Sequence, residues 1–204
     1  MERTTSGTLA RQGGRKPASF SPMAVAIALG LSGCANLVTP ERFDIHAASA
    51  RARSSGATFV VPTPTAYAPL DSELIVVRGA DGSLSRVPGV EWADRPPALL
   101  QARIVQTFEN AGLVRQIVVG GGSAEYALRV DLRRFDVDAA SHSATVEMTA
   151  RLVAENGGRI VAAKIFSASE PVGEIAGAAP ATALNGALAG VLSRMIPWAA
   201  SLGR

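Results

Sequence analysis

The sequence predicts an α+β fold, a two-layer sandwich in which a mainly antiparallel sheet is packed by two helices. Residues 125–169 alternate apolar and polar side chains, as antiparallel strands with one covered and one wet face do. Residues 94–112 and 180–197 instead repeat their apolar side chains at helical spacing. Strands come first, then a helix, more strands and a last helix, and this order favours the two-layer arrangement.

Four short strands are predicted in the first half of the chain, at residues 43–46, 59–61, 73–78 and 84–90. Pro62 and Pro64 end the second strand, because proline cannot donate to a strand ladder. The third strand, ELIVVR, is β-branched and apolar, so it is expected to be buried. The turn Gly-Ala-Asp-Gly at 79–82 joins it to the fourth strand in a hairpin.

The first helix is predicted over residues 94–112. Asp94 can cap its first amides, the following prolines fit a first turn, and Gly112 can close its C-terminus. A strand at 113–119 is expected to follow. The stripe that faces the core is predicted to consist of Leu100, Ile104 and Phe108.

Three consecutive strands are predicted next, in the segments that begin EYALRVDL, SATVEMTARLVA and RIVAAKIF. The apolar phase of the first slips at Arg133 and Arg134, as a β-bulge would cause. Residues 156–158, Asn-Gly-Gly, are predicted as the hairpin turn between the other two. On the wet face, Asp131 is expected to form solvated ion pairs with Arg129 and Arg133.

The last helix is predicted between Pro180 and Pro197, docked on the sheet. Its sequence is rich in alanine and glycine, so contact with a membrane is a second interpretation. Docking on the sheet is favoured, because polar residues are rare inside a bilayer and Asn185, Ser193 and Arg194 interrupt the apolar pattern.

The first 33 residues have the pattern of an export signal. Four basic residues precede the apolar run at 23–31, which is far shorter than the ~20 residues that a spanning helix needs. Residues 31–34, Leu-Ser-Gly-Cys, resemble the lipobox of bacterial lipoproteins, whose cysteine receives a diacylglycerol and becomes residue one after cleavage. Cys34, the only cysteine, is therefore the predicted lipidation site. The alternative is a small buried side chain near the end of a core helix.

The charge balance argues against nucleic acid as a partner. The chain has 20 Lys and Arg and 17 Asp and Glu, but four of the basic residues and one acid lie in residues 1–33. The mature chain therefore keeps 16 of each and lacks the dense cationic surface that nucleic acid requires. The predicted organisation is a signal peptide at 1–33, a lipidated N-terminus with a short strand and tether at 34–56, and an α+β domain at 57–204.

No catalytic, metal or cofactor site is predicted, and the chain is not expected to be an enzyme. His46 and His142 stand alone, whereas a zinc site needs clustered cysteine and histidine. The run Gly-Gly-Gly-Ser at 120–123 is followed by no Lys-Ser/Thr pair of a phosphate-binding loop. The sequence also has no G-x-S-x-G nucleophile elbow.

Trp92 is the candidate partner or packing residue. It lies where the predicted hairpin leads into the first helix. A large aromatic side chain at such a position packs a helix on a sheet. The functional alternative is an anchor that faces lipid or a partner, because tryptophan often marks interfaces.

Taken together, these motifs resemble the ABC-type transport auxiliary lipoproteins of the PqiC type. The resemblance covers residues 43–196, in addition to the lipobox. It is carried by residues 31–34, LDSELIVVR at 70–78, VPGVEWAD at 87–94, YAL at 126–128, and Phe135.

This resemblance implies an accessory role in a transporter of the mammalian-cell-entry (MCE) type. In such systems an inner-membrane ABC permease and ATPase act with an MCE-domain protein that shuttles phospholipid across the periplasm. The implied location is the periplasmic face of the outer membrane, since Ala35 replaces the aspartate that commonly marks inner-membrane retention. The implied role is to support outer-membrane integrity by docking the MCE assembly. Self-association is also expected if a sheet edge is open.

Two other functions remain open from the sequence. One is a structural envelope-assembly lipoprotein that bridges a membrane and a protein complex, as lipopolysaccharide-assembly lipoproteins do. The other is a periplasmic enzyme, which is disfavoured because no catalytic set is found.

Overall fold

The computed structural model describes residues 39–118 and 122–202. In this part of the chain, seven strands form one sheet and two helices pack against it, so the predicted α+β class is confirmed. The strands are β1 Glu41–Phe43, β2 Phe59–Val60, β3 Leu74–Arg78, β4 Leu84–Trp92, β5 Tyr126–Asp138, β6 Ser143–Ala154 and β7 Ile160–Pro171. The helices are α1 Pro96–Asn110 and α2 Ala179–Leu202.

The sheet is mixed, with the order β1-β4-β3-β5-β6-β7 and β2 beside β5. The long strands β5, β6 and β7 are antiparallel, as is the β3–β4 hairpin. The pairs β1–β4, β2–β5 and β3–β5 are parallel. The prediction of antiparallel pairing therefore holds for the long strands, while the parallel pairs all involve short ones.

The chain from β2 to β3 follows β5 in the same direction along one side. Phe59 lies opposite Tyr126 and, further along, Arg78 lies opposite Asp138. Between them Thr65 bridges Asp131. One strand of thirteen residues thus aligns a long stretch of irregular chain, and this alignment places the walls of the groove described below.

The predicted bulge in β5 is confirmed by a shift of its register with β6 between Leu132 and Arg134. Leu128 and Leu132 before the shift and Phe135 and Val137 after it are all buried. The extra residue keeps the apolar side chains on the covered face although their spacing in the sequence changes.

Helix α1 begins without the predicted side-chain cap. The capping position is Arg95, and no side chain bonds to the first turn. The carboxylate of Asp94 instead accepts from the Arg95 N–H at 2.7 Å, one residue before the helix. Pro96 and Pro97 have no N–H, so the first turn has fewer amides to satisfy. The prediction of Asp94 as the cap was therefore wrong.

Helix α1 ends as predicted, at Gly112. This glycine has φ +82°, a conformation that costs it little because it has no Cβ. Its N–H donates to the Glu109 carbonyl at 2.9 Å, and the Leu113 N–H donates to the Phe108 carbonyl at 3.0 Å. These two bonds form a Schellman motif.

The strand predicted at 113–119 was wrong for the described residues. A short 3₁₀ helix, Val114–Gln116, follows α1 instead, and Ile117 makes only an isolated bridge to Phe59. Leu113 is buried because it completes the C-terminal motif of α1, so the chain turns before a strand can start.

Helix α2 continues through Pro197, where the sequence predicted its end. Proline inside a helix removes one backbone bond and costs about 3 kcal/mol. Buried Ala199 and Ala200 hold the following turn on the core, and Trp198 packs edge-on against Phe166 at 5.4 Å. No helix in residues 39–118 or 122–202 is both long and apolar enough to cross a membrane.

The segment before β2 packs on the core. The strand predicted near 43–46 lies at Glu41–Phe43, and Ile45 and Ala48 are buried. The Ala48 N–H donates to Thr107 Oγ1 at 3.1 Å. Within the segment at 34–56, which was predicted to contain a short strand and a tether, the chain thus contacts the core up to residue 48 and becomes largely exposed from residue 51 onward.

Candidate binding groove

A groove of about 750 Å³ runs along the outer side of α1. One wall is the helix itself, through Ala98, Gln101, Ala102, Val105, Gln106 and Glu109. The other wall combines β2 and the chain after it, the chain before β5, β5 itself and the residue that follows β6. It is lined by Val60, Val61, Pro62, Val118, Arg129 and Glu155.

The helical wall exists because α1 carries a second apolar stripe. Ala98, Ala102 and Val105 follow one another at intervals of four and three residues, so they share one face of the helix. Ala98 and Ala102 are exposed and Val105 is half-buried, whereas the stripe of Leu100 and Ile104 is fully buried. Only the buried stripe was predicted from the sequence, although the same spacing of apolar residues marks both stripes.

Hydrogen bonds and aromatic contacts hold the two walls together. Gln101 Nε2 donates to the Val61 carbonyl at 2.9 Å, and Thr63 Oγ1 donates to Gln101 Oε1 at 3.0 Å. Behind them the ring of Phe59 lies 5.6 Å from that of Phe108. The groove is thus built on ordered elements, and a ligand would not have to order them.

Three charged side chains border the groove: Glu109, Arg129 and Glu155. All three are exposed, and none takes part in an ion pair within the described part of the chain. Two acids against one base leave the border with a net negative charge. The groove therefore suits an apolar ligand that is flanked by positive charge.

Asp131, on the wet face of β5, has partners other than those predicted. Its carboxylate bonds to Arg151 of β6 and to the Thr65 hydroxyl, and not to Arg129 or Arg133. The Thr65 hydroxyl above all, and Arg151 after it, hold the pKa of Asp131 below its usual value. Thr65 lies opposite Asp131 across an isolated parallel bridge. Arg151 faces Arg129 and is the diagonal neighbour of Asp131 on β6, a separation that a long arginine side chain can span.

A buried carboxylate joins β3 to β5. Asp136 is 0% exposed and bonds to Arg134 at 2.7 Å and to Arg78 at 3.2 Å. The hydrogen bonds that Arg134 donates to Asp136 raise the pKa of Arg134. Because the two arginines compensate a buried charge, this cluster stabilises the fold and leaves little charge for a ligand.

Trp92 lies in the core. Its side chain is 0% exposed, and its ring stacks on Phe135 at 5.0 Å. Nε1 has no hydrogen-bond partner in the described residues. The structure thus places this side chain in packing between β4 and β5, away from the surface.

The other predicted positions do not form a site. Cys34 lies outside the described residues, as do residues 120 and 121 of the run at 120–123. His46 and His142 are exposed, and residues 39–118 and 122–202 contain no group of three or more His, Cys, Asp or Glu that could hold a metal ion.

Comparison with known proteins gives a family. A model of the ABC-type transport auxiliary lipoprotein component matches residues 43–196. An uncharacterized protein of Bradyrhizobium diazoefficiens is 31% identical over 154 residues, which are 72% of this chain and 40% of that protein. The chain thus spans well under half the length of this curated relative.

Two solved structures have the same fold. Protein XCC0632 from Xanthomonas campestris superposes with a TM-score of 0.66 at 28% identity, over 81% of this chain and 94% of that one. An uncharacterized protein superposes with a TM-score of 0.60 at 12% identity, over 80% and 97% of the two chains. The second likeness concerns the fold alone.

Proposed function

The chain belongs to the family of ABC-type transport auxiliary lipoprotein components, and from this premise we propose that it is a non-catalytic accessory subunit of an MCE-type phospholipid transporter. The observation that carries the proposal is the family match, which covers nearly the whole described domain. The apolar groove supports it, because such a surface suits binding and lacks the paired titratable groups of an active site.

In this proposal Cys34 is acylated after removal of residues 1–33. One acyl chain binds a membrane only marginally, so several chains on the cysteine make the attachment durable. The protein is anchored at the periplasmic face of the outer membrane. The sheet begins with β1 at Glu41–Phe43, so only a short connection of residues 35–38 lies between the acylated cysteine and the described domain.

The groove is the proposed docking site for the MCE-domain protein, which works with the permease and ATPase. The lipoprotein positions the periplasmic end of that assembly at the outer membrane, and the ATPase supplies the energy. By this positioning, the protein supports outer-membrane integrity.

Recovery of the MCE-domain protein from detergent-solubilised envelopes tests the proposal. The tagged, lipidated chain is expected to co-purify with it, and Ala102→Arg is expected to abolish co-purification by filling the groove. Ala140→Arg is the matched control, because Ala140 is also exposed but lies in the turn after β5. Failure of the wild-type chain to recover the MCE-domain protein, or equal loss in both variants, would contradict the proposed role of the groove.

A further inference from the structure

We infer that β7 is an interaction surface for a second copy of this chain, and that two β7 strands pair antiparallel about a two-fold axis at Ser167. A two-fold pairing uses the same surface of both copies, so the two sheets continue into one another. This pairing is independent of the proposed transport role, because it depends only on residues of β7 and of the elements next to it.

β7 is an exposed strand at one edge of the sheet. It is the last strand in the order of the sheet, and its ladder partner in the described residues is β6. Eight of its 12 residues are exposed, and the side chains of Ile160 and Ile165 remain 55% and 52% accessible. A long edge strand with exposed apolar side chains is a template for another strand.

The backbone groups of β7 that point away from β6 belong to its odd-numbered residues. Val172 follows β7 in the same register, and its N–H donates to the His142 carbonyl at 2.8 Å. In an antiparallel pair only every second residue bonds to the neighbouring strand. The even-numbered residues of β7 therefore bond to β6, and the odd-numbered ones direct their N–H and C=O groups outward.

Two observations agree with this alternation. The Ser167 carbonyl accepts from Arg194 Nη2 of α2 at 2.6 Å, so this carbonyl points away from β6. Pro171 has no N–H, and its odd position puts the missing donor on the outer side, where no bond to β6 is lost. A carbonyl oxygen has two lone pairs, so that of Ser167 accepts a second bond from another strand without losing Arg194.

The charges of β7 complement one another across a two-fold axis. Lys164 and Glu170 are exposed on the same face of the strand, and neither forms an ion pair within residues 39–118 and 122–202. In a pairing centred on Ser167, Lys164 of each copy lies opposite Glu170 of the other. Odd-numbered residues then face odd-numbered ones, so the outward backbone groups of the two strands meet, as a ladder requires.

This charge pattern selects a second copy over a strand of unrelated sequence. Lysine on an edge strand commonly prevents pairing with other chains. A second copy removes that obstacle, because its own Glu170 arrives opposite Lys164. Both charges are satisfied twice in one register, and the same register satisfies the backbone.

A neighbouring register, centred on Ile165, satisfies the charges less well. It would place the two Ile165 side chains opposite each other. It would also set Lys164 against Phe166 and Glu170 against Ile160, so both charges would face apolar side chains. Opposite charges that face each other across strands stabilise the pair, so the register centred on Ser167 is favoured.

The surroundings of Glu170 leave room for the incoming lysine. A cavity of about 380 Å³ lies beside Glu170, between the end of β7 and the start of α2. Its helical side is lined by small residues, among them Ala179, Ala183 and Gly186. The Lys164 side chain of the other copy therefore reaches Glu170 without displacing α2.

Sedimentation equilibrium of the full chain in density-matched detergent tests the pairing. The parent is expected to dimerise. Lys164→Glu and Glu170→Lys each set like charges opposite each other twice, so each is expected to weaken the dimer about tenfold. The double variant exchanges the two charges and is expected to return to within about twofold of the parent's dissociation constant. Glu41→Lys, an exposed reversal on the opposite edge strand β1, is the matched control and should leave it unchanged.

A parent chain that remains monomeric at micromolar concentrations would overturn the inference, and this is the result expected if β7 accepts a strand from another protein instead. Equal dissociation constants for the parent and both single variants would place the contact elsewhere and would overturn it as well. A double variant that stays as weak as the single ones would reject the register centred on Ser167. Recovery in the double variant excludes misfolding as the cause of the single losses.

Discussion

Two ends of the sheet differ: the turn end, formed by the turns at 79–83 and 139–142, and the groove end, where the groove along α1 lies. The carboxylates at the turn end accept hydrogen bonds within their own turns, whereas those that line the groove do not. Asp138 accepts from the Ala140 and Ser141 N–H groups at 3.0 and 2.9 Å, and Asp81 accepts from Ser83. These bonds hold the pKa values of both aspartates below their usual value. Glu109 and Glu155 have no ion-pair partner in the described part of the chain.

The difference teaches where each end can interact. A turn whose polar groups are already bonded gains little from a ligand, because any new bond replaces an existing one. Exposed alanine and half-buried valine beside uncompensated charge gain both apolar burial and charge pairing when covered. The turn end therefore offers little to a ligand, whereas the groove end is suited to bind one.

Removing Trp92 should have the largest effect, because its ring lies in the core on which both ends depend. Trp92→Ala is expected to lower the free energy of unfolding by about 3–5 kcal/mol in urea titrations. Tyr67→Ala is the matched control, since Tyr67 is 87% exposed and its loss should change stability by less than about 0.5 kcal/mol. Similar losses in both variants would contradict the placement of Trp92 in the core.

Replacing the buried carboxylate of Asp136 should have the next largest effect on the free energy of unfolding. Asp136→Asn leaves Arg78 and Arg134 without their shared partner, so a loss of about 3 kcal/mol is expected. Asp71→Asn breaks an exposed ion pair with Arg95 and should cost less than about 1 kcal/mol. Urea titration of both variants measures the difference, and equal losses would refute the structural importance assigned to Asp136.

Charge reversal at the groove should weaken docking without unfolding the protein. The double variant Glu109→Lys with Glu155→Lys is expected to reduce affinity for the MCE-domain protein about tenfold, about 1.4 kcal/mol, in a titration of the purified proteins. Glu174→Lys, an exposed reversal outside the groove, is the control and should leave affinity unchanged. Unchanged affinity in the double variant would remove the electrostatic distinction between the two ends.

The smallest expected effect is on the pH dependence of stability, through Asp138 at the turn end. Because folding lowers the pKa of Asp138, its contribution to stability is present above the unfolded pKa and is lost as the pH falls through the folded value. Asp138→Asn keeps an acceptor oxygen but cannot titrate there. The variant should therefore show a slightly smaller fall in Tm than the parent between pH 6 and pH 3. An equal or larger fall in Tm would contradict the contribution of Asp138 to the pH dependence of stability.

The sequence was sufficient where the determining contacts are local. The alternation in β6, the turn Asn156-Gly157-Gly158 and the slip at Arg133 and Arg134 follow from neighbouring residues, and all appear in the structure. The strand expected at 113–119 failed although the contact that displaces it is also local: the C-terminal motif of α1 uses Leu113, and the chain then forms the short 3₁₀ helix Val114–Gln116.

The groove was harder to predict because it depends on distant elements. The stripe of Ala98, Ala102 and Val105 could be found by spacing alone. Its opposite wall, however, requires the parallel pairing of β2 with β5, and two residues of β2 carry too weak a pattern to predict it. Sequence periodicity therefore predicts one wall of a groove more readily than the groove itself, which two distant segments enclose.

Photo-crosslinking in intact envelopes tests the central claim most directly, that the groove end binds and the turn end does not. With benzoylphenylalanine at Val105 of the lipidated chain, an adduct with the MCE-domain protein is expected, and with the same group at Ala140 none is expected. Equal adducts from both positions, or an adduct from 140 alone, would contradict the account.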